Sequence, residues 1–167
     1  MPASTAAADN RFQSLTPAAL SGTEKSAVVA LALAVLKQRC RPGRAFTSSS
    51  DVEAYLRLKL AGRRNEVFGI VCLTSQNRLI GIAELFKGTI DGATVYPRVV
   101  VQKALENNAA AVVLFHTHPS GVADASHADR VITEKLQHAL ELFDIRLLDH
   151  FIVTDARVAS FAEQGWL

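Results

Sequence analysis

Cysteine is scarce: the 167-residue chain has two, Cys40 and Cys72, and neither belongs to a Cys-x-x-Cys pair. That usage excludes a disulfide framework and suits a reducing compartment. Cys72 falls inside an apolar strand pattern and reads as a small core residue rather than a nucleophile. Long apolar runs are missing too. The longest, Ala27 to Leu36, has ten residues, against the roughly 20 that cross a bilayer, so no membrane span is expected. Met1 to Asn10 shows no basic start followed by an apolar segment, so the expectation is a cytoplasmic protein without a secretory signal. Charge of one sign is in short supply as well. With 18 Lys plus Arg against 16 Asp plus Glu, the formal net charge is +2, too small for a nucleic-acid footprint without a local cluster. The basic groups Lys37, Arg39, Arg41, Arg44 and Arg63-Arg64 carry no interleaved aromatics. They read as solvated faces rather than as a base-stacking platform.

What remains is an average globular composition, 49% apolar and 20% charged, at a length that suits one domain and can bury a real core. Residues 1–20, rich in Ala, Ser and Thr without sustained periodicity, are expected to form a flexible N-terminal arm. Residues 21–45 read as a helix and a linker: Ser21 and Glu24 have capping-box spacing ahead of the apolar run, and Arg41-Pro42-Gly43-Arg44 breaks it. Ser50 and Glu53 repeat the signal before a short second helix carrying Val52, Tyr55, Leu56 and Leu60. From Glu66 the pattern becomes β-rich. Val67 to Leu73, a turn at Ser75-Gln76-Asn77, and Leu79 to Ala83 predict a hairpin. A turn at Asp91-Gly92 precedes a helix opening at Pro97 and ending at Asn107-Asn108. The apolar run Ala109 to Phe115 predicts a central strand, with His116 at its C-terminal end. A helix over about Ala128 to Phe143 and a strand over Ile145 to Val153 complete a mixed α/β chain.

The chemistry concentrates between His116 and Asp129. Side chains at i and i+2 of an extended chain share a face, so His116 and His118 can converge on one ion. The loop after them is long enough to return Asp129, in the first turn of the next helix, beside the imidazoles. Two His and one carboxylate on a tetrahedral zinc leave one position for water, the arrangement of a catalytic rather than a structural site. A His-x-His pair alone is more often two surface histidines. The strand end, the Pro119-Ser120-Gly121 loop, Ser126 and Asp129 together favour the metal reading.

The spacing His-x-His, seven residues, Ser, two residues, Asp, met by His116, His118, Ser126 and Asp129, resembles the JAMM motif of the JAB/MPN metalloprotease family. His116-Thr117-His118-Pro119-Ser120-Gly121, Phe86 to Gly92, Tyr96-Pro97-Arg98 and Leu148 to Val153 resemble the RadC family more closely. The likeness covers residues 46–167. It also resembles the short RadC-like proteins of prophages and genomic islands, which lack the helix-hairpin-helix DNA-binding domain. It implies a JAB/MPN, cytidine-deaminase-like fold, a curved mixed β-sheet of α+β type flanked by helices, with Zn²⁺ on His116, His118 and Asp129. It also implies a general base early in the domain, which matches Glu66 at the start of the first core strand; Glu84 is the competing position. Ser126 would steady the oxyanion or order the site. The chain departs from the family at Thr117, where Asn is usual, at Ala125, where Pro is common, and at Val99, where Glu usually follows Pro-Arg. His127 and His138 read as solvent-facing, and His150 as a partly buried histidine bonded to backbone or to a neighbouring carboxylate.

The resemblance thus implies a zinc-dependent hydrolase of amide or isopeptide bonds, acting on a peptide or protein substrate. The alternatives are an accessory protein of DNA repair or mobile elements, with at most weak nucleic-acid binding, and a metal-binding scaffold without activity.

Overall fold

The computed structural model describes residues 15–39, 42–43, 49–88 and 94–167. The expectations for Met1 to Asn10, for Cys40 and for the Asp91-Gly92 turn lie outside them. A 3₁₀ turn at Pro17–Ala19 precedes helix α1 (Gly22–Arg39) and helix α2 (Ser49–Leu60). Strands β1 (Val67–Leu73) and β2 (Leu79–Lys87), helix α3 (Pro97–Glu106), strand β3 (Ala111–Thr117), helix α4 (His127–Glu141) and strands β4 (Arg146–Val153) and β5 (Val158–Ser160) follow.

The five strands form one mixed sheet in the order β2-β1-β3-β4-β5. The β1–β2 hairpin and the β1–β3 and β4–β5 pairs are antiparallel, whereas β3 and β4 run parallel, as expected of two strands joined through a helix. The alternation of side chains along β3 divides the interior into two layers. Ala111, Val113 and Phe115 pack with Val52, Leu56 and Leu60 of α2, together with Val71, Phe151 and Val153. Val112 and Leu114 pack on the opposite face, with Val100 and Ala104 of α3 and Leu136 and Leu140 of α4. Each of the buried Val, Leu and Phe side chains contributes about 1.5–3 kcal/mol of transfer free energy. Continuing the alternation, His116 falls on the α3/α4 face and Thr117 on the α2 face.

Gly69 stands opposite Phe115 in the β1–β3 ladder. A Cβ there would collide with the Ala83 carbonyl oxygen and the Phe115 ring. The central strand can carry a phenylalanine at that level only because its neighbour has no side chain.

Several elements match the sequence periodicity closely, and the differences have local causes. The central strand begins at Ala111 rather than Ala109, because Asn108 takes a left-handed φ of 49° and the chain needs Ala109 and Ala110 to return to the sheet. Helix α4 starts one residue earlier than expected, at His127, with Ser126 as its N-cap. Strand β5 was not expected; three residues are too few to show a period. In α1 the Ser21–Glu24 capping box forms as predicted, with Ser21 Oγ donating to Glu24 Oε2 at 2.7 Å and Glu24 N–H to Ser21 Oγ at 3.3 Å. No helix among the described residues is long and apolar enough to cross a membrane.

Candidate metal centre

His116 ends the buried face of β3, and His118 lies two residues on, where the backbone leaves the sheet. The His118 N–H still bonds the Val153 carbonyl at 3.1 Å, and a turn closed by Gly121 N–H to the His118 carbonyl redirects the chain. Gly121 has φ +79°, which suits glycine in that turn. The loop then brings Ser126 to the head of α4, where a capping box forms. The Asp129 N–H donates to Ser126 Oγ (3.1 Å), while Ser126 N–H and Oγ–H both donate to Asp129 Oδ2 (2.7 and 2.6 Å). A helix cap thus fixes the carboxylate.

The same carboxylate meets the two imidazoles. Asp129 Oδ1 is 3.2 Å from His116 Nε2, Oδ2 is 3.5 Å from His118 Nε2, and the two Nε2 atoms are 2.8 Å apart. Burial pushes the Asp129 carboxyl up, but the two adjoining imidazoles and the hydrogen bonds from Ser126 prevail and hold it far below the usual carboxylate range. The neighbouring Asp129 carboxylate favours the protonated His118 ring and raises its pKa despite burial, helped by the Val122 carbonyl and the charge of Glu66.

This donor set can hold a metal ion. Donor atoms of all three residues lie within 4.8 Å of one another. Two imidazole nitrogens and a carboxylate oxygen suit a borderline transition metal, and the His118 tautomer agrees. Its Nδ1 is 2.7 Å from the Val122 carbonyl oxygen, which can only accept, so the ring proton sits on Nδ1 and Nε2 offers its lone pair.

The three residues line a cleft of about 470 Å³, shared with Glu66, Ser120 and Ser126 and walled by Phe68, Val95, Ala128 and Ile132. Of the two carboxylates weighed as a base, Glu66 lines this cleft. Glu84 is engaged elsewhere, 3.3 Å from Lys59 and 3.6 Å from Arg63. The start of β1 is tied to the histidine segment through Thr117, whose Oγ1 accepts the Val67 N–H at 2.9 Å. The residue between the histidines therefore anchors the strand that presents Glu66, a contact that sequence pattern does not show.

A family model for the RadC-like JAB domain matches residues 46–166. The chain belongs to the RadC-like JAB domain family. Among its relatives is a UPF0758 protein of Chromobacterium violaceum, 52% identical over 137 residues, which are 82% of this chain and 61% of the relative. One from Tolumonas auensis is 50% identical over 141 residues, 84% of this chain and 63% of the relative. One from Shewanella amazonensis is 48% identical over 157 residues, 94% and 69%. The chain thus spans about six- to seven-tenths of the length of these RadC-like relatives.

The remaining histidines separate clearly. His127 and His138 are exposed, as expected. His150 is fully buried rather than partly buried, and its ring bonds neither backbone nor carboxylate. It meets His116 Nδ1 at 2.8 Å and Thr133 Oγ1 at 2.6 Å. The signal in the sequence was the Asp-His step in an apolar strand. Its meaning depended on β4 lying beside β3, which the sequence does not reveal.

Proposed function

We propose that this RadC-like domain is a zinc-dependent hydrolase of amide or isopeptide bonds, with His116, His118 and Asp129 as zinc ligands and Glu66 as general base. The observation that carries this reading is the joint placement of a three-residue ligand set and a separate carboxylate on one open cleft. Three protein ligands on zinc leave a coordination position free. A zinc ion held by His116, His118 and Asp129 would supply Lewis-acid polarisation of a carbonyl and a water whose pKa is lowered to about 7.

The protein groups do the rest. Glu66 accepts the water proton on its carboxylate and returns it to the leaving amine nitrogen. Ser126 Oγ–H is already committed to Asp129 Oδ2, so its part is to order the ligand carboxylate rather than to steady an oxyanion. Phe68, Val95 and Ile132 wall the cleft with apolar surface and limit water beside the reacting bond. The substrate is a peptide or protein.

The test combines elemental analysis with a screen of internally quenched peptides and isopeptide-linked conjugates. Wild type is expected to bind one zinc per chain and to turn over a member of the screen. Glu66→Gln should keep the zinc and lose about 10²- to 10⁴-fold in rate, while Glu84→Gln should retain both zinc and rate. Loss of turnover in Glu84→Gln with an active Glu66→Gln would move the base to β2. Zinc without turnover in wild type would leave a metal-binding scaffold.

A further inference from the structure

Behind His116 a line of hydrogen bonds runs away from the cleft and back to the ligand set. Its direction can be assigned from one end. Thr133, 2% exposed on α4, has its Oγ1 2.5 Å from the Asp129 carbonyl oxygen. A carbonyl only accepts, so the hydroxyl proton lies there. The same Oγ1 stands 2.6 Å from His150 Nδ1; with its proton already used it must accept, so His150 carries a proton on Nδ1.

His150 is 0% exposed, stacked on Phe161 with ring centroids 4.7 Å apart and edge-on to Phe68 at 5.6 Å. A cationic ring buried among phenylalanines with no carboxylate bonded to it is costly, so the ring is neutral and its Nε2 is an acceptor. That Nε2 is 2.8 Å from His116 Nδ1. His116 therefore donates from Nδ1, and in the neutral ring its Nε2 is the lone pair, turned toward His118 Nε2 at 2.8 Å and Asp129 Oδ1 at 3.2 Å, the two other donors of the ligand set.

We propose that His150 and Thr133 are positioning residues that lock His116 in its Nδ1-protonated tautomer and so present its Nε2 lone pair to a divalent cation. This rests on the metal-site reading above. A ligating imidazole usually donates its other N–H to a carboxylate, a backbone carbonyl or water. Here the acceptor is a second imidazole, which fixes the tautomer without adding negative charge behind the ligand. The line also closes on itself. It leaves from one ligand, His116, and ends on the backbone carbonyl of another, Asp129, so the strand-borne and helix-borne halves of the site are held in one register.

The experiment uses the full chain. Long-range ¹H–¹⁵N NMR of the metal-free, ¹⁵N-labelled protein reports which nitrogen of His116 is protonated, and competition with a chromogenic chelator reports Zn²⁺ affinity. In wild type the His116 proton is expected on Nδ1. Thr133→Val keeps the side-chain size but removes the hydroxyl; it should mix the His116 tautomers and weaken Zn²⁺ binding about 10- to 100-fold. Thr133→Ser should restore both. His150→Gln, whose amide oxygen can accept where Nε2 stands, should bind more tightly than His150→Phe.

A wild-type His116 protonated on Nε2 overturns the proposal without any variant, so misfolded variants cannot shield it. A folded Thr133→Val with unchanged tautomer and affinity overturns it as well, and leaves the zinc reading standing. If wild type takes up no zinc, the reading beneath it falls instead.

Discussion

Asp129 serves two masters at once. One oxygen closes a helix cap with Ser126 and the other faces an imidazole, so folding of the helix start and assembly of the site are a single event. Asp129→Asn keeps a residue that can still cap but replaces one carboxylate oxygen by a donor, and it should lower bound zinc from one equivalent to background by elemental analysis. His116→Ala should do the same. Cys72 shows the opposite behaviour. Burial pushes its thiol up to about 11, although the charge of Lys103 opposes the shift, so at pH 8 the native thiol stays protonated. Iodoacetamide should spare it in the folded protein and alkylate it in denaturant, as read by peptide mass mapping. Because the folded thiol ionises later than the unfolded one, this group withdraws stability only as the pH rises above about 8.5. The three candidate ligands were legible as letters, since strand parity pairs His116 with His118 and the motif spacing adds Ser126 and Asp129, but the capping box that joins the last two was not read from the sequence. Nor were the partners of His150, because they depend on which strands become neighbours.

Among the elements, α4 is the one whose first turn matters most. Ser126→Ala removes the hydroxyl that receives the Asp129 N–H and steadies Oδ2. It should cost about 1 kcal/mol in thermal or denaturant unfolding and weaken zinc retention, whereas Ser126→Thr should preserve most of both. In β1 the sensitive position is Gly69. Gly69→Ala meets backbone on one side and the Phe115 ring on the other, and overpacking of this kind costs about 1–3 kcal/mol. Denaturant titration checks it, and the strain falls next to His116. The hairpin, α2, α3 and α4 could all be read from their periodicity, but the Ser50–Glu53 cap signal misplaced the start of α2, which already includes Ser49. The parallel pairing of β3 with β4 and the short β5 could not, because register across a sheet is set by tertiary contact rather than by local pattern.

For the whole molecule, the two apolar layers lie on either side of the sheet and include none of the ligand residues. Chelation of a zinc-loaded sample should therefore lower the melting temperature without unfolding the chain at 25 °C, measurable by calorimetry with and without chelator. A net charge of +2 leads us to expect only weak, steeply salt-dependent binding to duplex DNA in a titration at physiological salt. Submicromolar sequence-specific binding would instead favour a nucleic-acid role. One property of the layout reaches beyond this chain. Both histidines, the aspartate and the buried pair behind them occur between His116 and His150, in one uninterrupted strand-helix-strand passage, whereas Glu66 arrives from a different strand and is tied to that passage by a threonine hydroxyl. Heredity can therefore treat the two parts separately. A single crossover event carries this whole set of residues, and on the proposed reading a change at Glu66 would silence the chemistry while the set that would hold the ion stays intact.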